Sequence, residues 1–203
     1  MNYLTSNLYK NKYNNKYDIV RELGDGGNFL FAKSYFEYNN GPVLETKCPY
    51  NSTTSTTSTT LNKLDSLKPD IYVHQTIKYP TVLKERQSNG TVKVYNSTTK
   101  SSSNEMTSAQ LNEVRNLIKE HVIDNGGLFV GINADSKYKN NKYNFYNLDN
   151  STSTHAVTII GWNDNYSKTN FKGKDSNGNS VTPTANGAYL IMNSWGKSGE
   201  KTD

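Results

Sequence analysis

The sequence predicts an α+β chain, and three observations predict it. TSAQLNEVRNLIKEHVIDNGG is a helical repeat with a cap at one end and a glycine stop at the other. Three apolar runs of strand length follow it. Long polar tracts rich in Ser, Thr and Asn separate the apolar clusters. The 203 residues suffice for one domain or two small lobes sharing an interface. Hydrophobic residues make up only 33% and mean hydropathy is −0.82, so the core must be modest. Clustering of the apolar residues sets the chain apart from a wholly disordered one.

The elements follow in order. Residues 1–25 are polar, with a short helical possibility at Tyr17–Leu23. Gly24-Asp25-Gly26-Gly27 is a turn that needs unusual backbone angles. Phe29, Ala32 and Phe36 then recur at helical spacing and Asn39-Asn40-Gly41 closes the run, which predicts a buried helix. GPVLETKCPY reads as extended, because Pro49 disfavours helix at Cys48. NSTTSTTSTT at 51–60 and NSTTKSSSN at 96–104 are low-complexity loops, and DIYVHQTIKY at 70–79 between them reads as a strand. In the capped helix Thr107 and Gln110 form a capping box. Leu111, Val114, Ile118 and Val122 form its apolar stripe, and Gly126 ends it. LFVGINA at 128–134, AVTIIGW at 156–162 and AYLIMN at 188–193 are the three strands of a buried sheet, and the polar stretch Asn163–Asn186 is a loop insertion.

Composition excludes several functions. The 23 basic and 18 acidic residues leave a net charge of +5. The lysines are interleaved with Asn and Tyr without a nucleic-acid motif, so they read as a solvated surface and no nucleic-acid partner is expected. One cysteine, Cys48, rules out a disulfide within the chain and a cysteine-based zinc site. Asp164, Asp175 and their Asn neighbours lack the ordered spacing of a calcium loop, so no metal is assigned. No apolar stretch approaches the roughly 20 residues that span a bilayer. The first residues lack the apolar core of a secretion signal, so the protein is cytoplasmic or its leader is not part of this chain.

The chemistry concentrates in HAVTIIGW at 155–162 and GAYLIMNSWG at 187–196. His155 opens one strand and Asn193 ends another, 38 residues later. If the strands are antiparallel neighbours, the two side chains meet at one rim of the sheet. A carboxamide would then fix the tautomer of the imidazole and leave its other nitrogen to share a proton. A cysteine beside it would be held as a thiolate, a strong nucleophile for acyl transfer. Trp195 can lie over the His–Asn bond and keep water away.

H-A-V-x-I-x-G-W followed by G-A-Y-x-x-x-N-S-W-G resembles the histidine and asparagine motifs of papain-like cysteine peptidases. Further matches fall in the family's order: Gly24-Asp25-Gly26-Gly27-Asn28 resembles its C-N-G-G turn, GPVLETKCPY its Pro-Tyr segment before the crossover, and GGLFVGINA its cleft-lining strand. The insertion after GWNDNYSKTNF is most similar to bacterial, clostridial-type cell-surface members, which implies an extracellular or cell-wall setting. The resemblance implies a two-lobed fold. Residues 1–60 would be a remnant of the helical left lobe and crossover, and 61–203 the β-rich right lobe, a mainly antiparallel sheet or barrel truncated at its C-terminus. It implies His155 as general base and acid, Asn193 as its orienting partner and Trp195 as the shield. Gly26, Gly27 and Ala156 would contact an extended peptide or protein substrate, and no cofactor is implied.

The chain departs from the family at both of its ends. Nothing in it corresponds to the Q-G-x-C segment that opens the central helix and supplies nucleophile and oxyanion glutamine. Met1–Ser6 resembles what comes just after that helix, and the chain stops at NSWGKSGEKTD, where the family adds further strands. Cys48 precedes Pro49 and does not open a helix, so it reads as structural. The expectation is an incomplete papain-like fold lacking the central catalytic helix, inactive alone and completed by an N-terminal segment carrying Cys and Gln. The alternative is a non-catalytic module that binds peptide or cell wall.

Overall fold

The structure is a computed structural model that describes residues 29–37, 41–44, 46–47, 67–96, 100–134, 144–147, 154–171, 173–174 and 178–193. The chain divides into two compact units, Met1–Ile77 and Lys78–Asp203. The readings at Tyr17–Leu23, Gly24–Asn28, Cys48, 51–60 and Ser194–Gly196 lie outside the described residues.

In the first unit, helix α1 spans Phe29–Glu37, where the Phe/Ala spacing predicts it. Beyond it, Pro42, Leu44 and Lys47 gather around Asp70. The Asp70 N–H donates to the Pro42 carbonyl at 3.0 Å, and its carboxylate accepts from the Leu44 N–H at 2.9 Å and pairs with Lys47. That ion pair, and then the Leu44 amide, hold the Asp70 carboxyl below its ordinary pKa. Gly41 is required here, because a Cβ would collide with the Ile71 carbonyl. Residues 70–79, expected to be a strand, run without a ladder partner among the described residues. Pro69 and Pro80 bracket the segment, and no described strand offers it an edge.

The second unit opens with a hairpin, β1 (Leu83–Arg86) and β2 (Val92–Tyr95), that the hydrophobic pattern does not announce. Its turn is signalled by Asn89-Gly90: Gly90 sits at φ 84°, and the Asn89 carboxamide accepts from the Thr91 N–H at 3.0 Å. In the tract after β2 the Asn96 N–H donates to the Asn104 carbonyl at 3.0 Å, and Ser102–Asn104 form a 3₁₀ turn.

Helix α2 spans Ser108–Asn125. Its capping box is formed: Thr107 Oγ1 accepts from the Gln110 N–H at 3.2 Å, and Gln110 Oε1 from the Thr107 N–H at 2.8 Å. Gly126, at φ 86°, ends it in a conformation that favours glycine. Val114 is buried, and Leu111, Ile118 and Val122 are half-buried along the same stripe.

A three-stranded antiparallel sheet follows, ordered β3 (Leu128–Ile132), β4 (His155–Asn163) and β7 (Ala188–Met192). On β4, Val157 and Ile159 are 4% and 5% exposed and form the core beneath α2, while Ile160 points to the other face. The register against β7 shifts by one residue at Ile160: Ile159 faces Ile191, and Gly161 faces Leu190. This β-bulge lets both Ile159 and Trp162 face α2, although strict alternation would separate them. The fold is thus an α+β mixture with antiparallel sheets.

The stretch Asn163–Asn186 is more than the expected loop. It holds a 3₁₀ turn at Lys168–Asn170 and a small hairpin, β5 (Gly173–Lys174) with β6 (Ser180–Val181). Phe171 and Val181 are buried, and Phe171 meets the rings of Tyr166 and Tyr146 at 5.5 and 6.1 Å. A few apolar residues suffice for this satellite core because they close on Tyr146, which lies before β4.

Candidate active site

The pairing of β4 with β7 decides which side chains can meet. Met192 faces Thr158, so the same register carried one residue further sets Asn193 opposite Val157. Residues opposite each other in an antiparallel pair share a face, and His155 lies two residues from Val157 on that face. Asn193 and His155 are therefore diagonal neighbours. His155 Nε2 lies 3.0 Å from Asn193 Oδ1, and both residues are half-buried. A carboxamide oxygen only accepts, so the imidazole proton resides on Nε2 and Nδ1 is the basic nitrogen of the neutral ring.

The strand end that carries His155 is fixed from its other side. Ile132 faces His155 and Gly131 faces Ala156 in the β3–β4 ladder. Thr154 donates its N–H to the Ile132 carbonyl at 2.9 Å, and its hydroxyl accepts from the Ala134 N–H at 3.0 Å. The Asn147 carboxamide donates to the Asn133 carbonyl at 3.3 Å. None of these braces was read from the sequence, although Thr154, beside His155, is the kind of residue that could have suggested one. At the far end of β4, Lys119 from α2 binds both oxygens of Asp164 at 2.7 and 2.8 Å and lies 5.6 Å from the Trp162 ring centroid. Helix and sheet are thereby pinned away from the His–Asn pair.

The structure thus brings His155 and Asn193 together and sets Ala156 next to them on β4. Gly26, Gly27 and Trp195 lie outside the described residues. His74 is exposed, and His121 Nδ1 lies 2.9 Å from the Tyr79 hydroxyl, in a separate contact. Among the described residues no group of three or more His, Cys, Asp or Glu side chains is placed to hold a metal ion, and no helix is long and apolar enough to cross a membrane.

No curated protein and no solved structure matches the chain. The sequence model described as "Papain family cysteine protease" matches residues 16–202. That match spans both the His155 and Asn193 segments and nearly the whole chain, so the chain belongs to the papain family of cysteine proteases.

Proposed function

We propose that this chain supplies the His–Asn half of a thiol endopeptidase that cleaves peptide bonds in an extended protein substrate through a thioester acyl-enzyme. The carrying observation is the 3.0 Å bond from His155 Nε2 to Asn193 Oδ1. It fixes the tautomer that leaves Nδ1 as the base. A cysteine thiol passes its proton to Nδ1, and the thiolate adds to the scissile carbonyl carbon. The C–N bond then breaks as the imidazolium protonates the departing amine. Water, deprotonated by His155, hydrolyses the thioester and releases the acid, and the thiol is restored. Trp195 shields the His–Asn bond, and Gly26, Gly27 and Ala156 contact the substrate backbone.

The thiol in this reading is not Cys48, which sits in a Cys-Pro-Tyr context and does not open a helix. It comes from a segment carrying Gln and Cys, as in bacterial, clostridial-type members, and the setting is extracellular or wall-associated. The test mixes the full chain with such a segment and follows a fluorogenic dipeptide amide. Thiol-dependent turnover is expected, falling by about 10²–10⁴ in His155→Ala. Turnover that is absent, or indifferent to His155, overturns the reading.

A second reading is favoured by the lone cysteine: a non-catalytic module that binds peptide or cell-wall glycan on the retained fold. Binding of an unlabelled peptide or of purified wall, with no cleavage after addition of the Cys segment, would select it.

A further inference from the structure

Asn89-Gly90 makes the turn of the β1–β2 hairpin, and two donors converge on one atom there. Asn89 Oδ1 accepts from the Thr91 N–H at 3.0 Å and from the Thr91 hydroxyl at 2.7 Å. A backbone N–H only donates, so the atom it meets is the carboxamide oxygen, and the amide nitrogen Nδ2 is directed away from it. Both donors withdraw electron density from the Asn89 carboxamide. They stand where negative charge would gather if a nucleophile added to Cγ. The bond to the Thr91 N–H also folds the carboxamide forward along the chain, over the peptide that joins Asn89 to Gly90. Gly90 brings no Cβ to hinder its nitrogen, and Asn89, Gly90 and Thr91 are all exposed to water and base.

We propose that Asn89 is a self-modification site, where the Gly90 nitrogen closes on the Asn89 carboxamide to give a succinimide that water opens to isoaspartate or aspartate. A solvent base takes the Gly90 amide proton, and the nitrogen adds to Cγ. The oxyanion forms on Oδ1, between the two Thr91 donors. The Cγ–Nδ2 bond then breaks, and Nδ2 takes a proton from water and leaves as ammonia. Water adds to either carbonyl of the ring, so one water is consumed and one ammonia released. The bond from the Gly90 N–H to the Gln87 carbonyl, 2.9 Å, has to open first, a small step at an exposed turn tip. The other Asn-Gly pairs described at both residues are set differently. Asn186 Oδ1 accepts from the Lys168 N–H at 3.1 Å, which draws its carboxamide to a distant segment. Asn125 ends helix α2, and attack by the Gly126 nitrogen would first unwind the last turn. Isoaspartate at 89 carries the main chain through the side-chain carbon and lengthens the turn by one atom. The Gln87 N–H to Thr91 carbonyl bond that closes the turn, 2.7 Å, then loses its register, and the net charge falls by one from +5.

Ageing the full chain at mildly alkaline pH, followed by peptide mapping in a mass spectrometer, tests this. Replacement of NH by O is expected at Asn89 ahead of Asn125 and Asn186, with the isoaspartate isomer resolved by fragmentation and with loss of amide protection at Gln87. In urea the three sites should react at similar rates. Thr91→Val removes the hydroxyl donor and should slow Asn89 by about threefold to tenfold, the worth of one hydrogen bond at a surface. Thr91→Ser keeps that donor and should keep most of the rate. Thr91 is exposed, and an unchanged thermal transition shows that the variants are folded. An Asn89 no faster than the other two, a lead that persists in urea, or a rate indifferent to Thr91→Val overturns the proposal.

Discussion

The hairpin β1–β2 and the sheet β3–β4–β7 are both antiparallel, yet different forces hold them. In the hairpin Glu85 gathers Lys100 at 2.6 Å, Gln87 at 3.1 Å and the Tyr95 hydroxyl at 3.1 Å, and Lys93 pairs with Glu105 at 2.8 Å. Lys100 foremost keeps the Glu85 carboxyl below its ordinary pKa, and Glu105 raises that of Lys93. The sheet is held by its apolar core: Val157 and Ile159 are buried beneath the helix, and the ion pair described there, Lys119–Asp164, lies beyond the end of β4. A two-stranded unit cannot bury enough apolar surface and leans on polar contacts; a sheet under a helix can dispense with them. The His–Asn pair sits in the second kind of environment, so its geometry should be insensitive to ionic conditions.

The largest break in this comparison is Ile159→Ala. Losing a buried isoleucine should cost about 2–5 kcal/mol, read by urea unfolding, and should disturb the His155 imidazole resonances. Thr107→Ala comes next. Removing the cap of the helix over the sheet should cost about 1 kcal/mol by the same measurement, without altering hairpin amide exchange at neutral pH. The smallest effect sharpens the contrast through pH. Because the folded pKa of Glu85 is depressed, its contribution is present above the unfolded carboxylate value and is lost as pH falls through the folded one. Amide protection in β1–β2 should therefore decline in acid while β4 keeps its own. In Glu85→Gln the acid step in the hairpin should shrink, leaving only what the Lys93–Glu105 pair contributes. Equal acid sensitivity in both regions would show the contrast to be wrong.

Legibility followed the same division. The α+β class, the capped helix and all three sheet strands were readable, because each combines a periodic apolar pattern with a local stop or cap, as Thr107, Gln110 and Gly126 do. The possible meeting of His155 and Asn193 was readable once their strands were taken as antiparallel neighbours. The hairpin was not: LKER and VKVY carry charge on both sides, and only Asn89-Gly90 marks them. The extended run 70–79 misled in the opposite sense. It has strand-forming residues, but a strand also needs a neighbour, which local sequence does not specify. The satellite core of the insertion was hidden because Phe171 and Val181 are isolated in polar sequence and close on Tyr146, a partner before β4.

The extra residue at Ile160 has a consequence for how this chain tolerates change in length. Since Ile159 pairs with Ile191 and Gly161 with Leu190, excising Ile160 would leave both matches standing and simply restore strict alternation. A residue can thus be lost at that spot while the histidine and asparagine stay in step. Excising Ile191 on the facing strand has no such slack: it would draw Asn193 level with Thr158 and turn it away from His155.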